Sequence, residues 1–283
     1  MTVYPKPDIL AETGWLAEHI GDPGLLVVDC DEFPAFMRLH IDGAAGLRTH
    51  HYLKAAGDSA SGPGVGTHIM DPESFAETMS RHGIGDDTQV IAYDNMGGLY
   101  AARLWWALDY HGHSKCRVLN GGFRKWYEED RPVSMEMRHI ERTKFTVRGV
   151  RDDTCARLDD VRGAIDDDDA VIWDVRAKGE HTGEDSRANK HGGHIPGAAH
   201  LEWLDVTVSP PVRSGLLLPA DEISRKLAGV GIVPEKRVIT HCQAGIRAAH
   251  AAFVLRLMGY PRALNYDASW AEWGNRDDTP IVT

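Results

Sequence analysis

Arg237-Val238-Ile239-Thr240-His241-Cys242-Gln243-Ala244-Gly245-Ile246-Arg247-Ala248-Ala249 reads as a strand, a turn and a helix in succession. Val238, Ile239 and Thr240 are β-branched and suit a buried strand ending at His241. Gly245 allows the turn to bend without a Cβ clash. The run through Ala248, Ala249, Ala252, Phe253 and Leu255 predicts a helix with an apolar face. Cys242 stands at the junction, where open α/β sheets bind ligands. There the N–H groups of the turn and the helix dipole favour an anion. The same field draws a thiol toward the reactive thiolate. Cys242 is therefore the candidate nucleophile.

The same pattern occurs once more, earlier in the chain. Gln89-Val90-Ile91-Ala92-Tyr93-Asp94 is followed by Gly97 and by a run through Ala101, Ala102, Leu104, Trp105 and Leu108. Leu25-Leu26-Val27-Val28-Asp29 pairs with Ala170-Val171-Ile172-Trp173-Asp174, and His40-Ile41-Asp42-Gly43-Ala44 with His194-Ile195-Pro196-Gly197-Ala198. Leu119-Asn120-Gly121-Gly122-Phe123 pairs with Tyr266-Asp267-Ala268-Ser269-Trp270. These blocks keep one order, so the chain reads as two copies of one domain. Each copy alternates short apolar strands with helical stretches. The fold class is α/β, with a mostly parallel sheet covered by helices on both faces. The first domain is placed at residues 1–135, a polar linker at 136–153, and the second domain at 154–283.

Composition narrows the function. A net charge of −11 argues against nucleic acid and anionic membrane surfaces as partners. No apolar run approaches the roughly 20 residues of a membrane helix. Residues 1–7 show no basic region leading into an apolar stretch, which makes the cytoplasm the expected location. Cys30, Cys116, Cys155 and Cys242 have neither disulfide-framework nor zinc-type spacing. His191-Gly192-Gly193-His194 reads as a loop rather than a metal site, and Asp166-Asp167-Asp168-Asp169 as a solvated turn.

Arg247 follows Cys242 closely enough to place a guanidinium beside the pocket and bind an anionic donor. The competing reading is a helix residue in a salt bridge. His-Cys-x4-Arg is one residue shorter than the His-Cys-x5-Arg loop of cysteine phosphatases. A phosphoryl group needs a loop that surrounds a tetrahedral anion, whereas a tighter ring of amides suits one extra sulfur on the cysteine. The spacing thus favours sulfur over phosphate.

With these residues assembled, the chain resembles a tandem rhodanese-type sulfurtransferase from about Leu10 to Trp273. Three segments carry the resemblance. They are Cys242-Gln243-Ala244-Gly245-Ile246-Arg247, His194-Ile195-Pro196-Gly197-Ala198, and Tyr266-Asp267-Ala268-Ser269-Trp270-Ala271-Glu272-Trp273, the last with Ala268 at a position where the family has glycine. The resemblance implies that Cys242 takes a sulfane sulfur from thiosulfate or 3-mercaptopyruvate as a persulfide and passes it to cyanide or a thiol. The loop residues Gln243, Ala244, Gly245, Ile246 and Arg247 would then bind substrate and persulfide through their amides. It implies no metal and no organic cofactor. It also implies that the first domain is inactive, because Asp94 stands at the cysteine position and a carboxylate cannot carry the sulfur.

The donor stays open. Gln243-Ala244 is neither the basic pair of thiosulfate-specific members nor the Gly-Ser of mercaptopyruvate-specific ones. Asp174-Val175-Arg176 is followed by Glu180 where both groups carry a donor-binding arginine. Arg247 is expected to take that role. Arg176 is a candidate ligand too, with an ion pair to Glu180 or Asp174 as its other reading. The alternatives are a cysteine phosphatase or arsenate reductase using the same cysteine, and a sulfur-relay module loaded with persulfide by a protein partner.

Overall fold

The computed structural model describes residues 3–49, 53–57, 66–208 and 215–283. In the first half the strands are β1 (Leu10–Ala11), β2 (Leu25–Asp29), β3 (His40–Ile41), β4 (Ala45–Gly46), β5 (Gln89–Tyr93), β6 (Cys116–Leu119) and β7 (Val133–Ser134). In the second they are β8 (Cys155–Ala156), β9 (Ala170–Asp174), β10 (Ala199–His200), β11 (Arg237–His241) and β12 (Ala263–Tyr266). The first sheet runs β1-β6-β5-β2-β4 and the second β8-β12-β11-β9-β10, every pair parallel. The two sheets therefore share one strand order, and the α/β tandem read from the sequence is the fold. Strands β2 and β5 are covered on both faces, which explains continuous apolar runs in place of alternation.

The halves meet through the helices that follow the two central strands, Leu99–Tyr110 and Ile246–Leu257. Both are buried on nearly every side, the mark of a helix that lies inside the protein. Trp105 packs edge-on to Phe253, ring centroids 5.1 Å apart. Burial of side chains this size contributes roughly 2–3 kcal/mol each. One apolar core runs through both halves as a result, from Val90 and Leu104 to Phe253 and Val238.

Residues 135–151 form neither helix nor strand, yet they are a docked strap. Thr143 N–H donates to Ser80 O at 3.0 Å and Phe145 N–H to Ser80 Oγ at 3.0 Å. Arg142 grips Glu77 with two bonds of 2.9 and 2.6 Å. Among the described residues no helix is long and apolar enough to cross a membrane, and no group of three metal-ligating side chains occurs.

Candidate active site

Cys242 follows the last residue of β11 and is almost wholly buried. Its loop closes at Gly245, which caps the helix in the left-handed region at φ +77. Any Cβ there would collide with the carbonyl and carboxylate oxygens of Asp267, so glycine is required on both counts. Ser269 braces the loop from outside. Its Oγ accepts N–H bonds from Cys242 (3.0 Å) and Gly245 (3.1 Å) and donates to Tyr266 O (2.7 Å). It sits 4.0 Å from Cys242 Sγ. Ser269 itself is left-handed at φ +53, a strain of about 1–2 kcal/mol for a residue with a Cβ that these three bonds offset.

The Gly245 amide, expected to face the sulfur, is thus committed to Ser269. The amides of Ile246, Arg247 and Ala248 precede the first intrahelical bond, from Ala249 N–H to Gly245 O (3.1 Å), and lack helical partners. The first half shows what such amides do. Both oxygens of the buried Asp94 carboxylate lie inside the equivalent loop. Oδ1 accepts from Met96 and Gly98 at 2.8 Å each, and Oδ2 from Tyr100 (2.6 Å) and Ala101 (2.8 Å). At the same helix positions the second half has Arg247 and Ala248.

The structure also corrects the pairing of the two loops. The sequence matched Gly97 with Gly245, but the left-handed helix cap is Gly98. The Asp94 loop is one residue longer than the Cys242 loop and encloses two oxygens where the shorter one holds a single sulfur.

The arginines are arranged differently from the expectation of free anion ligands. Both terminal nitrogens of Arg247 bond to the buried Glu180 at 2.7 and 2.8 Å. The pair holds the Glu180 carboxyl below its usual range, against the opposing effect of burial. Arg176 is fully buried. It donates twice to Asp174 (2.9 and 2.7 Å) and once to Gly193 O (2.7 Å), and lies 4.2 Å over the Trp270 ring. Its contacts are those of the ion pair with Asp174 that was its other reading. Gln243 exchanges reciprocal amide bonds with Asn189 (3.0 and 2.9 Å), which fastens the loop to residues 186–189. Ala244 and Ile246 bring only backbone to the site as polar groups. His241 is buried beside Asp174 at 3.8 Å, and burial pushes its imidazole down to about 4, so it is neutral at pH 7.

Three charged residues at the domain boundary were not foreseen. Asp267 is buried against Gly245. It pairs with Arg103 from the middle of the first domain's interface helix and with Lys54, whose Nζ is 3.2 Å from Oδ2. Lys54 also donates to Thr67 O (2.6 Å) and Asp267 O (3.3 Å). A lone arginine inside the apolar run Ala101-Ala102-Arg103-Leu104-Trp105 is the signal that points to Arg103. Nothing in the sequence around Lys54 marks it.

A strand-end cysteine ahead of a helix N-terminus, with a sibling loop that carries Asp94 at the cysteine position, defines a duplicated cysteine-loop α/β protein. The rhodanese-like domain family matches residues 12–129 and again 157–276, and the chain belongs to that family. It is 32% identical to the sulfur carrier protein TtuD of Thermus thermophilus, over 99% of this chain and 98% of the relative. It is equally 32% identical to the thiosulfate sulfurtransferase of Azotobacter vinelandii, over 99% of both, and to that of Corynebacterium glutamicum, over 99% and 92%. The anaerobic ergothioneine biosynthesis enzyme of Chlorobium limicola, 24% identical, shares the fold with a TM-score of 0.84 over 99% of this chain and 71% of that one. The protein is a rhodanese-family sulfurtransferase or sulfur carrier.

Proposed function

We propose that Cys242 carries a sulfane sulfur from a small anionic donor, thiosulfate ahead of 3-mercaptopyruvate, to cyanide or a thiol. The Cys242 thiolate attacks the donor's outer sulfur. A new S–S bond forms, the donor's S–S bond breaks, and its electron pair leaves with sulfite. The acceptor then attacks the outer sulfur of the persulfide and returns the thiolate. The observation that carries this reading is the Asp94 carboxylate held by four amides. It supports an anion seat at the equivalent point of the shorter Cys242 loop, sized for one charged sulfur. A deeply buried thiol favours a slender donor, and the names of the relatives favour thiosulfate.

Thiocyanate formation from thiosulfate and cyanide tests the proposal. The expected result is ping-pong kinetics, a higher kcat/KM for thiosulfate than for mercaptopyruvate, and turnover lowered roughly a thousandfold in Cys242→Ser. Hydrolysis of an aryl phosphate or reduction of arsenate, with no thiocyanate from either donor, would favour the phosphatase class instead. A sulfur-relay role is supported by the similarity to a sulfur carrier protein. It predicts slow loading by both small donors and fast loading from a persulfide-bearing protein partner.

A further inference from the structure

The two halves cover each other's loops with matching devices. In the first half a bridge joins Lys54 to Ile69, and in the second a bridge joins Thr207 to Leu217. The second bridge sits on the first half's loop. Gly215 approaches Gly97 so closely that a Cβ would overlap its backbone, and Leu217 N–H donates to Asn120 Oδ1 at 3.1 Å. The first bridge sits on the second half's loop through Lys54 and Asp267. Strand and helix registers make Asn120 the counterpart of Asp267 and His250 of Arg103, and the two bridges set Thr207 against Lys54. Burial pushes His250 down to about 4, so it is neutral. The same three positions are thus uncharged over Asp94 and fully charged over Cys242. At these positions the first half meets the second without charges, through Leu217 N–H and Asn120.

We propose that Lys54 is a specificity-determining residue of the Cys242 site, supplying from the other domain the positive charge that selects an anionic sulfur donor. This rests on the sulfur-transfer reading for the identity of the donor only. Arg176 is balanced by Asp174 and Arg247 by Glu180. Among the described residues, Lys54 and Arg103 face one carboxylate between them, Asp267, which leaves one cationic charge over. Arg187 also approaches Glu180, at 3.9 Å, but from a half-exposed side chain where salt screens it.

The charge reaches the loop by a short path. Lys54 holds Asp267 by its carbonyl and its carboxylate, the two groups against which Gly245 bends, and Gly245 N–H and Cys242 N–H share Ser269 Oγ. Among the described residues, the ammonium bonds Asp267 and shares that carboxylate with Arg103, and Cys242 adds an attraction that favours its charged form. Burial lowers Lys54 to about 8, opposed by Asp267 and reinforced by Arg103.

Alkylation of Cys242 in the full chain separates this from a purely structural role. Iodoacetate carries a negative charge and iodoacetamide none, so the ratio of their rates reads the local potential. Lys54→Met is expected to lower that ratio about tenfold, with Lys54→Arg keeping it within about threefold of the unaltered protein. In the unaltered protein the ratio should fall as pH rises through about 8, and in Lys54→Arg it should persist to higher pH. kcat/KM for thiosulfate should follow the ratio. Equal slowing of both reagents in Lys54→Met, or a ratio with no fall near pH 8 and the same profile in Lys54→Arg, would overturn the proposal. If Lys54→Met does not fold, the two pH profiles decide. A ratio that changes as expected in a protein that forms no persulfide would uphold the charge assignment and remove sulfur transfer.

Discussion

The loops headed by Asp94 and Cys242 descend from one pattern and differ in what fills them. In the first, the anion is part of the chain. A carboxylate takes four amides, the loop is one residue longer, and Gly122 adopts the left-handed turn at φ +53. In the second, the anion has to arrive. The loop is shorter, and Ser269 adopts the same turn so that its hydroxyl can hold two loop amides. The neighbours follow suit. Asp29 and Asp31 crowd Asp94 with buried carboxyls, whereas the corresponding Asp174 and Arg176 neutralise each other. One scaffold thus carries a self-filled anion site and, in the proposed function, one that receives its anion from outside.

That contrast can be broken first by exchanging the head groups. In a Cys242→Ser background, Asp94→Cys should give no thiocyanate above the roughly thousandfold lower background of Cys242→Ser alone, because Asp29 and Asp31 oppose a thiolate there. Recovered turnover would show the loops to be interchangeable. Asp94→Ala should next cost about 3–5 kcal/mol in denaturant unfolding, since four buried N–H groups lose their acceptor. A loss below about 1 kcal/mol would mean the carboxylate is incidental.

Arg247→Ala strips the buried Glu180 of its two short bonds and leaves it only Arg187 at 3.9 Å, which should cost about 3 kcal/mol. Adding Glu180→Ala should restore most of this, with KM for thiosulfate within about threefold of the starting protein. A KM that stays high in the double variant would return Arg247 to donor binding. The smallest effect is expected at Asp31. Its carboxyl is raised to about 8, mainly by burial and then by Asp94 and Asp29, against about 4 in the unfolded chain. Between those values folding takes up a proton, so this group's contribution to stability falls as pH rises. Asp31→Asn should match the parent near pH 4 and exceed it by about 1 kcal/mol or more at pH 8. A gap independent of pH would exclude this coupling.

Much of this was legible in the chain. Buried β-branched strands, a turn glycine and an alanine-rich helix recur in each half, and the repeat exposed Asp94 as the odd residue at the cysteine position. What escaped was long-range pairing. Lys54 and Asp267 are 213 residues apart, and a lysine in a loop carries no periodic signal. Glu180 and Arg247 were both noticed, one as a missing arginine and the other as its replacement. That they bind each other depends on the distance between two helices, Lys178–Thr182 and Ile246–Leu257, which spacing along the chain does not give. The shorter Cys242 loop was legible as a length. The slip in pairing Gly97 with Gly245 came from Gly97 and Gly98 being adjacent and both left-handed, so only the helix cap distinguishes them.

The central claim is that Cys242 carries the sulfur and Asp94 marks a retired seat. Intact-mass measurement of the reduced, folded protein after incubation with thiosulfate tests it most directly. The account predicts a gain of about 32 Da, one sulfur atom, located at Cys242 by peptide mapping, removed by cyanide and absent in Cys242→Ser. No adduct with thiosulfate, mercaptopyruvate or a persulfide-bearing protein, or an adduct at Cys30, Cys116 or Cys155, would contradict it.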